Sequence, residues 1–353
     1  MKFLLLAVSL FAGFCPVAGA CQICIPFPKN SVADDLLGAE IVVLAREDPE
    51  RPFYFRAVEV LKGTPGTEKI GLFLDSNSRR ILGLFPKRSI VLVKGGAEGQ
   101  ESWRRVGMAD ETFGPLVREL LDSAAAWEKE PGLRVGFFGK LLGHEDVQIS
   151  RLAHLEVAQA SYSEIKGLKD ALPRVEIHAF LKNFRYVEWH ALYILLLAQS
   201  GDPEDRQFIS EAFHSALRFK STLSLGAWAT AYIELEEEKA VEFIEAEYFR
   251  KEGHSPAALR EVMMALSVHG SNGHTHLRDR IVASYKPLLA KYPAMTPNVA
   301  KDLIAWDRSE LASEVASYVA AHQYELELQT ALVLMAYGRK AQRDEGHAES
   351  LKK

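Results

Sequence analysis

The chain lacks most of the features that declare a function. Its 353 residues hold three cysteines, Cys15, Cys21 and Cys24, all near the start, so thiolate ligands are too few for a four-coordinate structural zinc site. Basic residues are not in excess. The 42 Lys and Arg stand against 47 Asp and Glu, a net charge of −5, and they are dispersed. That excludes the electrostatic footprint of a general nucleic-acid or anionic-membrane binder. Beyond the first twenty residues no apolar run reaches the roughly 20 residues of a membrane span; Ala191–Ala198 reads as a buried core helix. The phosphate-cradling glycine loop, the Gly-x-Ser-x-Gly elbow and His-Glu-x-x-His are all missing. Catalytic triads do assemble from distant positions, so an unrecognised hydrolase stays as an alternative.

What is present begins with a leader. Lys2 gives a minimal positive start, Phe3 to Phe14 is apolar, and Ala18-Gly19-Ala20 is a small-residue cleavage site. Residues 1–20 are therefore read as a signal peptide, and the protein as exported, periplasmic or secreted. Retention of the leader as a single-pass anchor is an alternative. Cleavage after Ala20 would make Cys21 the first mature residue, which raises lipoprotein acylation at Cys21; Ala18 stands where a lipid-attachment site usually has Leu. Cys15 leaves with the leader, and Cys21 and Cys24 form an even pair in an oxidising compartment.

Hydrophobic patterning divides the remainder. Ile41–Ala45, Phe53–Leu61, Ile70–Leu74 and Ser89–Lys94 are short β-branched or aromatic runs between turn residues, with Trp103–Val106 a candidate fifth strand. They predict a small barrel or sandwich over residues 21–130, with a short helix near Ala33–Leu37 and a trailing helix from Phe113 to Trp127. Residues 131–338 read as almost wholly helical. Leu155–Ala158, Leu195–Ala198, Thr230–Ile233, Met264–Ser267 and Leu303–Trp306 recur at intervals from the low thirties to about forty residues, the range of two-helix repeats. A helical pair cannot bury its apolar face alone, so neighbours must stack. The polar tail, 339–353, is expected to be disordered.

Two resemblances follow from these residues. Val187 through Asp205, with its aliphatic first helix, Gly201-Asp202-Pro203 turn and charged entry to a second helix, resembles a HEAT-type repeat. This implies an all-α scaffold for protein partners over about residues 145–337, with no catalytic residues. The N-terminal part, with Cys21, Cys24, Pro26, Ala33-Asp34, Ile41–Arg46 and Phe55–Gly63, is similar to the netrin-like modules of bacterial secreted proteins. Those are related to the N-terminal OB-type barrel of tissue inhibitors of metalloproteinases. In the inhibitors the N-terminal cysteine chelates the target's zinc, and Cys21 occupies that place here. The inhibitors start Cys-x-Cys and pair both cysteines with distant ones; this chain has Cys-x-x-Cys and no other mature cysteine.

Two groups could carry chemistry. Cys21-Gln22-Ile23-Cys24 reads first as a short-loop disulfide, with a labile thiol pair or a two-thiolate metal site as alternatives. His269, His274 and His276 lie in VHGSNGHTH, with His254 upstream. Neutral imidazoles there could close on zinc or copper; the plainer reading is a solvated connector. Trp189, Trp228 and Trp306 are read as core, Asp34-Asp35 as helix capping, and Glu234–Glu238 as a solvated helix end. No resident cofactor is expected. The sequence favours a non-catalytic exported protein gripping a protein partner in the envelope or outside the cell. A thiol- or metal-handling protein is the alternative.

Overall fold

The computed structural model describes residues 30–64, 69–95, 102–322 and 324–350. Ser31 caps α1 (Val32–Gly38): its hydroxyl accepts the Asp34 N–H, and Asp34 accepts the Ser31 N–H in return. Strands β1 (Ile41–Asp48) and β2 (Arg51–Lys62) form a hairpin, followed by α2 (Ser76–Leu84), β3 (Ser89–Gly95) and β4 (Ser102–Ala109). The sheet is antiparallel in the order β2-β1-β3-β4. Its central strands read as unbroken apolar runs because both faces are covered. Val42, Leu44, Val91 and Val93 join the cluster that includes α1. Val43, Ala45, Ile90 and Leu92 pack with Phe55, Leu74 and Leu82 on the other face.

The expected barrel is not closed. Among the described residues β2 and β4 are edges, so the element is an open four-stranded sheet. Ile70–Leu74, expected as a strand, contributes one bridge, Tyr54 to Phe73. Asp75-Ser76-Asn77, among the turn-type residues between the expected third and fourth strands, instead opens α2, with the Asp75 carboxylate accepting the Ser78 N–H. The same small polar residues serve turns and helix N-caps alike, so the sequence pattern does not separate the two.

Helices follow. The first are α3 (Phe113–Lys129), α4 (Gly132–Gly139), α5 (Val147–Ala158), α6 (Tyr162–Lys166) and α7 (Arg174–Lys182); after a 3-10 segment, Phe184–Trp189, come α8 (His190–Leu197) and α9 (Pro203–Arg218). One apolar cluster runs without a break from the sheet through α3 to α8 and reaches Ala227 and Ala231 of α10 (Leu225–Glu236). A second takes over at Phe213 and runs through α10, α11 (Glu238–Ile244), α12 (Pro256–Asn272), α13 (Arg278–Lys291), α14 (Thr296–Ala305) and α15 (Ala312–His322) to α16 (Leu328–Ser350). Trp228 and Tyr232 pack against both.

Within α8, Ala191 to Leu197 are all buried, as an apolar helix enclosed on every side requires. Tyr193, Leu196 and Leu197 are core, as expected from the sequence, and Trp189 and Trp306 are buried. The chain reverses at Gly201, whose φ of +72° suits a residue without a side chain, and Asp202 then caps α9 with Pro203 at its first turn. The tail after Gly338 is not irregular: α16 continues to Ser350, anchored by the buried Tyr337 and by Lys340, which pairs with Asp307 and Asp344.

Candidate functional site

The densest convergence of ligand-type atoms among the described residues lies where α10 ends beside the end of α12. The α10 side supplies Glu234 from its last turn and Glu237 from the junction with α11. Glu237 holds φ +48°, ψ −120°, a strained conformation for a residue with a side chain. From the other side His269 projects from the last turn of α12, and His274 and His276 follow in the connector and the 3-10 turn Thr275–Leu277. Two overlapping trios result, Glu234–His269–His274 and Glu237–His274–His276, with one potential ligand atom from each residue within 4.8 Å of the others.

Hydrogen bonds fix the chemistry of each group. The fully buried His269 donates from Nε2 to the Thr230 carbonyl at 2.9 Å, which leaves Nδ1 as an acceptor, met by the His274 N–H at 3.4 Å. Burial pushes the His269 pKa down to about 3, with smaller contributions from the Thr230 bond, which raises it, and from His274, Lys166 and His276, which lower it. The ring is therefore neutral. Its face stacks on His274 with centroids 5.4 Å apart. Glu234 is held by Lys166 at 2.7 Å on one oxygen and by the Tyr162 hydroxyl at 2.9 Å on the other. His274 donates from Nε2 to the Glu234 carbonyl at 3.2 Å, with the carboxylate of the same residue 3.4 Å away, so a metal would have to be taken through its Nδ1 or at the expense of that bond. His276 and Glu237 meet at 2.9 Å, both more than half exposed. Gly273 lets the chain cross over the imidazole: a β-carbon there would stand 2.6 Å from His269 Nδ1.

The structure thus gathers the three histidines singled out by the sequence. It corrects their setting, because His269 belongs to a helix and is buried in the core, not displayed on a solvated loop. His254 is elsewhere, its Nε2 donating to the Glu247 carbonyl and its ring against Tyr248. Cys21 and Cys24 lie outside the described residues. Asp34 is a capping residue, as expected. Missed by the sequence reading were Glu234 and Glu237, set aside as a solvated acidic run, and Tyr162 and Lys166 behind them. The signal was the repeat interval: Glu234 and Glu237 precede His274 and His276 by 40 and 39 residues, so the next helical pair brings them side by side.

Elsewhere an open hollow of about 730 Å³, bounded by Phe85, Lys87, Arg88, Asp110, Thr112 and Asp146, mixes charges of both signs without convergence on a point. No helix among the described residues is long and apolar enough to cross a membrane. Comparison with known proteins gives no match to any family model, curated protein or solved structure.

Proposed function

We propose that this chain is an exported, non-catalytic binding protein. Its helical region would be a HEAT-like scaffold, joined to an N-terminal β unit, that grips a protein partner in the envelope or outside the cell. The supporting observation is a row of partly exposed rings that passes from helix to helix. His178 of α7 meets Phe208 of α9 edge to face at 5.6 Å, and Phe208 meets Trp228 of α10 at 5.8 Å. One turn along α10, Tyr232 meets Phe243 of α11 at 5.9 Å. Aromatic side chains that are already ordered, half-dry and adjacent are what interface hot spots are built from, because little rotamer freedom is left to lose on binding. The leader-like pattern of residues 1–20, a lysine, an apolar run and a small-residue stretch, supports the export part of the reading.

The test replaces Phe208, which is 39% exposed, with Ser. Wild type, Phe208→Ser and a control, Leu328→Ser on α16, are immobilised and exposed to the envelope and medium fractions of the source cells. Loss of about 2 kcal/mol or more of partner affinity for Phe208→Ser alone is expected. A partner retained equally by all three would place the binding surface elsewhere, and recovery of no partner would remove the scaffold reading.

A further inference from the structure

We propose that Glu234, His269 and His274 form a binding site for a zinc-class divalent cation. The argument starts from the tautomer of His269. Its Nε2–H is committed to the Thr230 carbonyl, so the lone pair is on Nδ1, and Nδ1 is the nitrogen that would ligate. This is the arrangement of metal-binding histidines generally, in which the far ring nitrogen donates to a carbonyl that sets tautomer and ring angle. The contact that Nδ1 does receive, the His274 N–H at 3.4 Å, is at the weak end of hydrogen bonding.

The carboxylate is prepared in the same manner. A carboxylate has about four lone-pair directions; Lys166 and Tyr162 use one on each oxygen of Glu234 and fix its plane, leaving the others for an ion. The helix ends partly offset the positive charge that Lys166 brings to the site. Two helices, α10 and α12, end here, and their carbonyl termini carry the negative end of the helix dipole.

Geometry bears on the choice of ion and of trio. Tetrahedral zinc with bonds of 2.0–2.1 Å places its ligand atoms about 3.4 Å apart, so the present spread of up to 4.8 Å must contract on loading. His274 can supply that movement, because it sits on the connector after Gly273 and not within a helix. Three protein ligands leave a fourth position for water. A nitrogen and oxygen set suits zinc or copper(II) and not copper(I), which wants thiolates or thioethers. Because His274 belongs to both trios, the buried one is preferred: its Glu234 side chain is 10% exposed, whereas Glu237 and His276 are 52% and 61% exposed and already paired with each other.

The experiment uses the untagged chain carrying Cys15→Ser, Cys21→Ser and Cys24→Ser, so that thiols cannot contribute. Calorimetric titration with Zn²⁺ is expected to give one site per chain, and Co²⁺ in its place the visible absorption of a tetrahedral nitrogen–oxygen site. His274→Ala should weaken zinc binding by more than about tenfold, and Glu234→Gln likewise, while His276→Ala should change it by less than about threefold. Circular dichroism checks that each variant is folded; Glu234→Gln, which keeps the side-chain shape, serves if His274→Ala is not. Absence of zinc uptake, a site indifferent to both His274→Ala and Glu234→Gln, or equal loss with His276→Ala would overturn the assignment.

Discussion

Two polar clusters inside the helical region use the same residue types to opposite effect. On α5, Glu156 and His154 are both buried, and each turns to its own partners. Glu156 accepts from one guanidinium edge of Arg134, Nε at 2.7 Å and Nη2 at 2.9 Å, together with the Ser31 hydroxyl. His154 donates from Nδ1 to the Ser150 carbonyl at 2.6 Å and accepts from the Tyr193 hydroxyl at 2.5 Å. All of these are short, directed bonds that use both imidazole nitrogens. On α10 and α12, Glu234 and His269 instead face a common point with His274, and the contact at His269 Nδ1 is long. The lesson is that burial alone does not separate a structural histidine from a ligand. What separates them is whether the second nitrogen already has a partner.

The firmest way to break the comparison is to unmake the satisfied cluster. Arg134 also reaches Asp34 at 2.6 Å, so it ties α1, beside the sheet, to α4 and α5. Burial works against its charge, but Glu156 and Asp34 outweigh that and raise its pKa. Arg134→Met would leave the Glu156 carboxylate, 5% exposed, with one hydroxyl partner. A loss of about 3 kcal/mol in a urea titration is expected, from the stranded charge more than from the lost attraction. A loss below about 1 kcal/mol would mean that Glu156 escapes to water.

Tyr193→Phe is the milder version. It keeps the ring, stacked on Phe180 at 4.4 Å, and removes the hydroxyl donated to His154. An unpartnered buried acceptor costs about 1–3 kcal/mol. The variant should also bring His154 closer to His269 in character, with an open Nε2 but, among the described residues, no second histidine and carboxylate converging on it. Zinc should therefore not bind there, and a new zinc site in calorimetry would show that convergence with a carboxylate is dispensable.

How much of this the sequence contained differs between the two clusters. The core positions of α8 were readable because seven apolar residues in a row can only be enclosed, and the Gly201-Asp202-Pro203 reversal because each residue has one backbone role there. Strands β1 and β3 were equally plain, but their closure was not: whether a sheet curls into a barrel depends on its edges, and no local pattern at Ile70–Leu74 distinguishes a strand from an extended segment with one bridge. For His269 the local pattern points to the wrong setting. Its neighbours Gly270, Ser271, Asn272 and Gly273 look like a loop, yet α12 continues through Asn272 because packing of the helix outweighs weak propensity. Arg134 and Ser31 gave no signal, since their partner Glu156 lies 22 and 125 residues away.

The finest distinction changes no stability at all. His154 and His269 should be opposite neutral tautomers: His154 carries its proton on Nδ1, facing the Ser150 carbonyl, and His269 on Nε2, facing the Thr230 carbonyl. Long-range proton–nitrogen correlations in ¹⁵N-labelled protein report this directly. Burial lowers both pKa values, that of His269 to about 3, below the roughly 6.5 of an unfolded histidine. Between those values the unfolded chain binds a proton that native His269 refuses, so its contribution to stability is complete above about pH 6.5 and is lost as pH falls toward 3. His269 should therefore stay unprotonated in the folded protein at pH 6. Zinc added at neutral pH should then move the Nδ1 resonance of His269 and leave both nitrogens of His154 in place. The same tautomer at both sites, or a zinc response at His154, would erase the difference between the two clusters.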